Sequence, residues 1–153
     1  MLNIRTSVFE TNSSSCHSFT INSGKQIGKS VLPIKDDGYI YVSLGEYGWG
    51  PEDYKYQQDK LSYLVTLVKC INHCYGCDCI SEIEDLRDYM DISDVVALYT
   101  GAKGIKLVDG DGYVDHQSCD CYRSLADFLT QNKTNIIEFI FGDVVIHIDN
   151  DNH

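Results

Sequence analysis

Gln57-Gln58-Asp59-Lys60-Leu61-Ser62-Tyr63-Leu64-Val65-Thr66-Leu67-Val68-Lys69-Cys70-Ile71-Asn72-His73-Cys74-Tyr75-Gly76 is the longest patterned stretch of the chain, and the architecture depends on it. Leu61, Leu64, Val65, Val68 and Ile71 recur at three- and four-residue spacing, the mark of a helix with an apolar stripe. Gly76 supplies a stop, because glycine tolerates the left-handed backbone that ends helices. Pro51-Glu52-Asp53 reads as the start, since proline suits the first helical turn and acids favour its positive end. The expectation is one long central helix.

Strand signals lie on both sides of it. Ser18-Phe19-Thr20-Ile21 alternates polar and apolar side chains, and Tyr39-Ile40-Tyr41-Val42-Ser43-Leu44 follows the turn Asp36-Asp37-Gly38. A glycine- and tyrosine-rich loop then spans 45–50. Beyond the helix, Ile83, Leu86 and Tyr89 mark a second helical stretch, and Val95, Val96 and Leu98 a third. Gly101 and Gly104 break the pattern before a strand at Ile105-Lys106-Leu107-Val108, and Tyr113-Val114 follows the turn at 109–112. Leu125, Phe128 and Leu129 suggest a short helix. Residues 136–141, the turn Gly142-Asp143 and residues 144–148 read as a terminal β-hairpin. Strands at both ends with helices between them predict an α+β fold, mostly antiparallel sheet around a long central helix with shorter helices. The 153 residues fit a single compact domain, 1–153.

The charge is lopsided. The chain has 12 basic and 23 acidic residues, a net charge of -11. Residues 1–77 balance seven acids against seven bases. The remaining 16 acids face only Arg87, Lys103, Lys106, Arg123 and Lys133, so that half carries the whole excess. Such a chain repels phosphate backbones, which argues against direct binding of nucleic acid. The acids are scattered singly, as on a solvated face; the sharper reading is a face that docks on a basic protein. No apolar run reaches the roughly 18–20 residues of a membrane span, and the polar N-terminus has no signal-peptide core, so a cytoplasmic protein is expected.

Seven cysteines, an odd number, fit reduced thiols in a reducing compartment. Two groups stand out: Cys70, Cys74, Cys77 and Cys79 around His73, and Cys119-Asp120-Cys121 just after His116. Thiolates are soft zinc ligands, and a structural site joins two short pairs from separate segments. Cys74, Cys77, Cys119 and Cys121 are therefore candidate zinc ligands. Only one of the two pairs has the two-residue spacing of a zinc knuckle, and Cys70 fits equally a small buried apolar residue.

Three polar motifs flank strands. The first, Arg5-Thr6-Ser7-Val8-Phe9-Glu10-Thr11-Asn12-Ser13-Ser14-Ser15-Cys16-His17-Ser18, joins a carboxylate, an amide, hydroxyls and an imidazole. Its hydroxyls can close Asx- and Ser/Thr-turns; they can also cradle an anion while Glu10 or His17 moves a proton. The second is Asp115-His116-Gln117-Ser118, after the Tyr113-Val114 strand. The third is Asp149-Asn150-Asp151-Asn152-His153, with hard oxygen donors suited to magnesium, manganese or calcium, or simply a hydrophilic tail. The expectation is that these strand ends converge. Glu10, His17, Asp115 and His116 are then candidate catalytic groups, and Asn12, Ser13, Ser14, Ser15, Gln117, Ser118, Asp149 and Asp151 candidate binding groups.

Residues 8–15 with His17-Ser18, the Asp115-His116-Gln117-Ser118 box and the Asp149-Asn150-Asp151-Asn152 end resemble a family of small proteins from phages and prophages of Gram-positive bacteria. The resemblance covers the two ends of the chain and that box, and the middle lies outside it. It implies a phage setting, and so the cytoplasm of a bacterial host cell, but no chemistry. In similar sequences position 16 is usually another residue such as threonine, which speaks against a nucleophilic Cys16.

Two functional expectations follow. The first is a small acidic accessory protein that binds and inhibits a host protein, such as a basic nucleic-acid-binding protein, in the manner of a counter-defence (anti-CRISPR-like) factor. Tyr39, Tyr41, Tyr47, Tyr54 and Tyr56 with Trp49 would add an exposed aromatic patch of the kind that anchors interfaces. The alternative is a metal- or His-assisted hydrolase or transferase acting on a nucleotide or a host protein. The chain contains no phosphate loop, H-E-x-x-H helix, G-x-S-x-G elbow or dinucleotide fingerprint. A third possibility is a homo-oligomer whose function is self-association.

Overall fold

The computed structural model describes residues 2–6, 15–21, 27–47, 52–73, 83–84, 86–108, 111–114 and 127–150. In chain order its strands are β1 (Leu2–Thr6), β2 (Ser15–Ile21), β3 (Ile40–Ser43), β4 (Glu46–Tyr47), β5 (Glu52–Tyr54), β6 (Ile105–Val108), β7 (Tyr113–Val114) and β8 (Ile146–Asn150). The helices are α1 (Gln57–His73), α2 (Arg87–Thr100) and α3 (Lys133–Phe141). Residues 127–131 add a short helical turn. The α+β class is the one the sequence predicts. One four-stranded sheet has the order β1-β2-β8-β5 with every neighbour antiparallel, while β3 with β6 and β4 with β7 form parallel pairs.

The central helix is present but starts later than its proline suggests. Glu52–Tyr54 is strand β5, paired with Ile148, His147 and Ile146 of β8. Tyr54 also packs edge-on against Tyr47, with centroids 5.1 Å apart, so sheet and aromatic contacts outweigh the local preference for a helix start. Instead Gln57 opens the helix and ties a neighbouring segment to it: its Oε1 accepts from Val31 N at 2.9 Å and its Nε2 donates to Lys29 O at 2.9 Å.

Burial of α1 goes beyond a stripe. Leu61, Tyr63, Leu64, Val65, Leu67 and Val68 are fully buried, and Lys60, Ser62 and Thr66 are buried with them. A helix enclosed on all sides must satisfy its polar side chains internally. Ser62 Oγ donates to Ser43 O (2.6 Å) and accepts from Tyr47 OH (2.7 Å). Thr66 Oγ1 donates to Ser62 O (2.7 Å) and accepts from Gly45 N (3.1 Å). Cys70 Sγ accepts from Val114 N at 3.3 Å. These bonds lash the ends of β3, β4 and β7 to the helix. Gly112 runs so close to them that a Cβ there would collide with Leu44 and come within 3.1 Å of Thr66 and 3.2 Å of Gly45. Only glycine allows that approach.

Ile83 belongs to a separate helical turn at 83–84, while Tyr89 of the second helical stretch and the whole of the third lie in one helix, α2, with Leu86 at its N-cap. Its Tyr89, Ile92, Val95 and Val96 are buried, and it grips β6 through Tyr89 OH to Ile105 O (3.1 Å) and Ile105 N to Ser93 Oγ (3.1 Å). Gly101 ends it at φ +82°, donating to Ala97 O at 2.9 Å, the left-handed cap that glycine adopts freely.

The terminal hairpin is corrected. Residues 133–141 form helix α3, and only the second arm is a strand, shifted to Ile146–Asn150. The run of Ile and Phe has strand-like composition, yet Ile136, Phe139 and Ile140 are buried at helical spacing. Asn132 caps the helix by accepting from Thr134 N at 2.9 Å. Asn132→Ala should therefore cost about 1 kcal/mol, read as a lower urea midpoint at unchanged slope.

Candidate functional site

The register of the four-stranded sheet joins the two ends of the chain. β2 meets β8 with Ser15 opposite Asn150, Cys16 opposite Asp149, His17 opposite Ile148 and Ser18 opposite His147. Ser15 and His17 thus stand on the strand beside Asp149. Of the other candidates, Glu10, Asn12, Ser13, Ser14, Asp151 and the whole Asp115-His116-Gln117-Ser118 box lie outside the described residues.

Alternation along the strands separates the sheet's two faces. Ile146 is fully buried, and its register partners are Phe19 of β2 and Tyr54 of β5. His147 and Asp53, opposite each other on β8 and β5, are both exposed, and the backbone register continues from His147 to Ser18 of β2 and from Ser18 to Arg5 of β1.

Here the structure supplies residues that the sequence reading did not nominate. His147 Nδ1 and Asp53 Oδ1 are 2.5 Å apart, across β8 and β5, with side chains 55% and 64% exposed. The contact with the carboxylate orients the imidazole across the two strands. Asp53 was hidden because it reads as an acid in a helix start. The alternation Ile146-His147-Ile148 does place the histidine outward, which was the available signal.

A second polar surface lies on α2. Asp88, Asp91 and Asp127 line a shallow cleft of about 460 Å³ with Arg87, Thr130 and Lys133. Partial burial, with Asp127 and Asp91 close by, raises the Asp88 carboxyl above the ordinary carboxylate range. Arg87 reaches Asp91 only at 3.9 Å and is itself almost fully solvated. Three acids share the cleft with two bases, Arg87 and Lys133, so the negative charge there is only partly balanced.

The aromatic patch is corrected. Tyr47 is core, packed edge-on against Tyr54 and Tyr63. Tyr41 OH donates to Asp37 Oδ2 at 2.8 Å, and Lys106 Nζ reaches the same oxygen at 2.9 Å while lying 4.1 Å from the Tyr39 ring centroid. Lys106 first, then Tyr41, holds the Asp37 carboxyl down at about 2, which makes this cluster a lock on the 35–39 turn. Of the five tyrosines Tyr56 is the exposed one, at 65%, and Trp49 lies outside the described residues.

Cys74, Cys77, Cys119 and Cys121 also lie outside the described residues. Cys70 is a buried free thiol whose pKa is pushed up by burial. Among the described residues no group of three or more His, Cys, Asp or Glu could hold a metal ion. None of their helices is long and apolar enough to cross a membrane. Compared with models of protein families, with curated proteins and with solved structures, the chain matches none.

Proposed function

We propose that this chain is an acidic binding protein that occupies and inhibits a basic, nucleic-acid-binding partner, a host protein in the phage setting that its end motifs resemble. The observation that carries the reading is the crowding at Asp88. Partial burial first, then the neighbouring Asp127 and Asp91 carboxylates, raise the Asp88 carboxyl against smaller opposing pulls from Thr130 and Arg87, and an arriving cation relieves the repulsion among the three acids. The net charge of -11 extends the field and steers a basic partner toward the chain while repelling nucleic acid itself. Carboxylates on a rigid helix compete for a basic groove by presenting charge where phosphates would lie.

The test is capture from a Gram-positive bacterial lysate by the wild type and by a variant carrying Asp88→Asn, Asp91→Asn and Asp127→Asn. The wild type should retain basic nucleic-acid-binding proteins, and the neutralised variant at least 10-fold less of them. Added duplex DNA should compete the capture away. Raising salt from 0.1 M to 1 M should abolish it, because the screening length falls from about 10 Å to about 3 Å. Equal capture by both proteins, or capture indifferent to DNA and salt, would overturn the reading.

A further inference from the structure

Helix α2 buries one side and leaves the other bare. Tyr89, Ile92, Val95 and Val96 are buried in the core. On the opposite side Met90, Asp94 and Leu98, spaced four residues apart, form an exposed row along the helix. Met90 is 54% exposed, and Leu98, at 82%, is the most exposed large apolar side chain among the described residues. The two stand about 12 Å apart along the helix axis. One such side chain on a surface is ordinary; two in line on one helix, with an acid between them, make a face.

Negative charge borders that row on one flank. Asp91 is three residues before Asp94 and seven before Leu98, so it lies beside the row, and it also lines the cleft that holds Asp88 and Asp127. α2 has Asp88, Asp91 and Asp94 against Arg87 as its one base. It has no base in its last turn, where a cation would suit the negative end of the helix. A second copy of the chain is a poor cover for this face. Two copies of α2 packed face to face would set Asp91 and Asp94 against the same acids, and like charges across an interface oppose association. Nucleic acid is repelled for the same reason. The complement is an apolar row with positive charge along one side of it. A helix laid beside α2 supplies that, since it brings apolar residues seven or eight apart onto one line, the spacing of Met90 and Leu98.

We propose that this face of α2 docks an amphipathic helix of the basic partner, whose apolar row covers Met90 and Leu98 and whose lysines or arginines lie along the flank that Asp88 and Asp91 occupy. The inference rests on the reading of the chain as an acidic binding protein and names the part of the partner that it grips. The cleft beside α2 then takes the cations, and the exposed row takes the apolar side chains.

The experiment measures binding of two labelled peptides to the whole chain by fluorescence anisotropy. The first is a leucine/lysine peptide of about 14 residues, long enough to run beside α2, with its leucines at helical spacing. The second is a scrambled isomer with the same composition and charge but no apolar face. The wild type should bind the helical peptide at least about 10-fold more tightly, the scale of two apolar side chains leaving water. Met90→Ser with Leu98→Ser should bring the two peptides to equal affinity. Asp88→Asn with Asp91→Asn should instead weaken both peptides alike and flatten their dependence on salt. All four positions lie outside the buried core, and circular dichroism checks that each variant keeps its fold. Equal, salt-sensitive binding of both peptides by the wild type would overturn this docking mode and leave the acidic binding reading standing. Binding of neither peptide would overturn it too, and capture of basic proteins then decides the wider reading by itself. A dimer that forms with rising concentration and is dissolved by Leu98→Ser would give the face to a second copy and overturn the inference as well.

Discussion

Phe139→Ala should lower the unfolding free energy by about 3–5 kcal/mol, the cost of a large aromatic deleted from a closed core. Phe139 is fully buried on α3, with its ring centroid 6.5 Å from that of Tyr63 on α1. The neighbours cannot collapse into the gap, because Tyr63 is also fully buried and α1 is fastened by its polar side chains to β3, β4 and β7. Small domains hold only about 5–15 kcal/mol in total, so the shift in urea midpoint will be large. The pattern along the segment tests the fold as well as the packing. In helix α3, Ile136, Phe139 and Ile140 are buried and Ile137 is half-buried. Alanine should therefore cost most at 136, 139 and 140 and least at 137. The hairpin that the composition suggests would instead pair 137 with 139 and 136 with 140. High cost at 137 and 139 with low cost at 136 and 140 would refute the helix.

That segment shows why part of the fold could be read and part could not. The run Leu61 to Ile71 announced α1 because its spacing is long and regular, and tertiary packing only widened the buried face. Residues 136–141 are too short and too uniformly apolar for period to decide, and β-branched and aromatic content pointed the wrong way. The deciding signals were local and weak: an asparagine able to cap, and a glutamate, Glu138, that a helix can leave half-exposed. At the outward sheet face the difficulty was of another kind. His147 and Asp53 are 94 residues apart, and nothing in either neighbourhood names the other. Their contact exists because residues 52–54 become a sheet strand, a choice made by pairing with β8 and packing on Tyr47 rather than by Pro51-Glu52-Asp53. One misplaced boundary concealed the pair. The alternation that placed Ser18 in a strand was legible; its register partner was not.

Lys60→Met should remove a rise in stability of about 3 kcal/mol that the wild type shows, relative to the variant, between about pH 8 and pH 10.5. Lys60 is only 1% exposed in the first turn of α1, and its Nζ donates to Gly142 O at 2.9 Å. Burial pushes its pKa down to about 8, against a smaller opposing pull from Asp143. The unfolded chain keeps the lysine near its ordinary pKa of about 10.4. Below about pH 8 both states are protonated, and the folded state bears the full cost of a buried ammonium. Between the two pKa values the folded protein has released the proton while the unfolded chain still binds it. Stability must then climb with pH, because it does so wherever the unfolded state holds more protons. Cys70, Tyr41 and Tyr89 have raised pKa values and pull the other way at alkaline pH. Both proteins carry them, so their contribution cancels in the difference. Methionine keeps the apolar stem and drops the charge, at a pH-independent cost of about 1–3 kcal/mol for the donor lost to Gly142. Urea unfolding of both proteins from pH 7 to pH 10.5 gives that difference directly. A difference that stays flat across this range would mean that Lys60 keeps its proton in the folded state, with the Gly142 carbonyl and Asp143 offsetting the whole cost of burial.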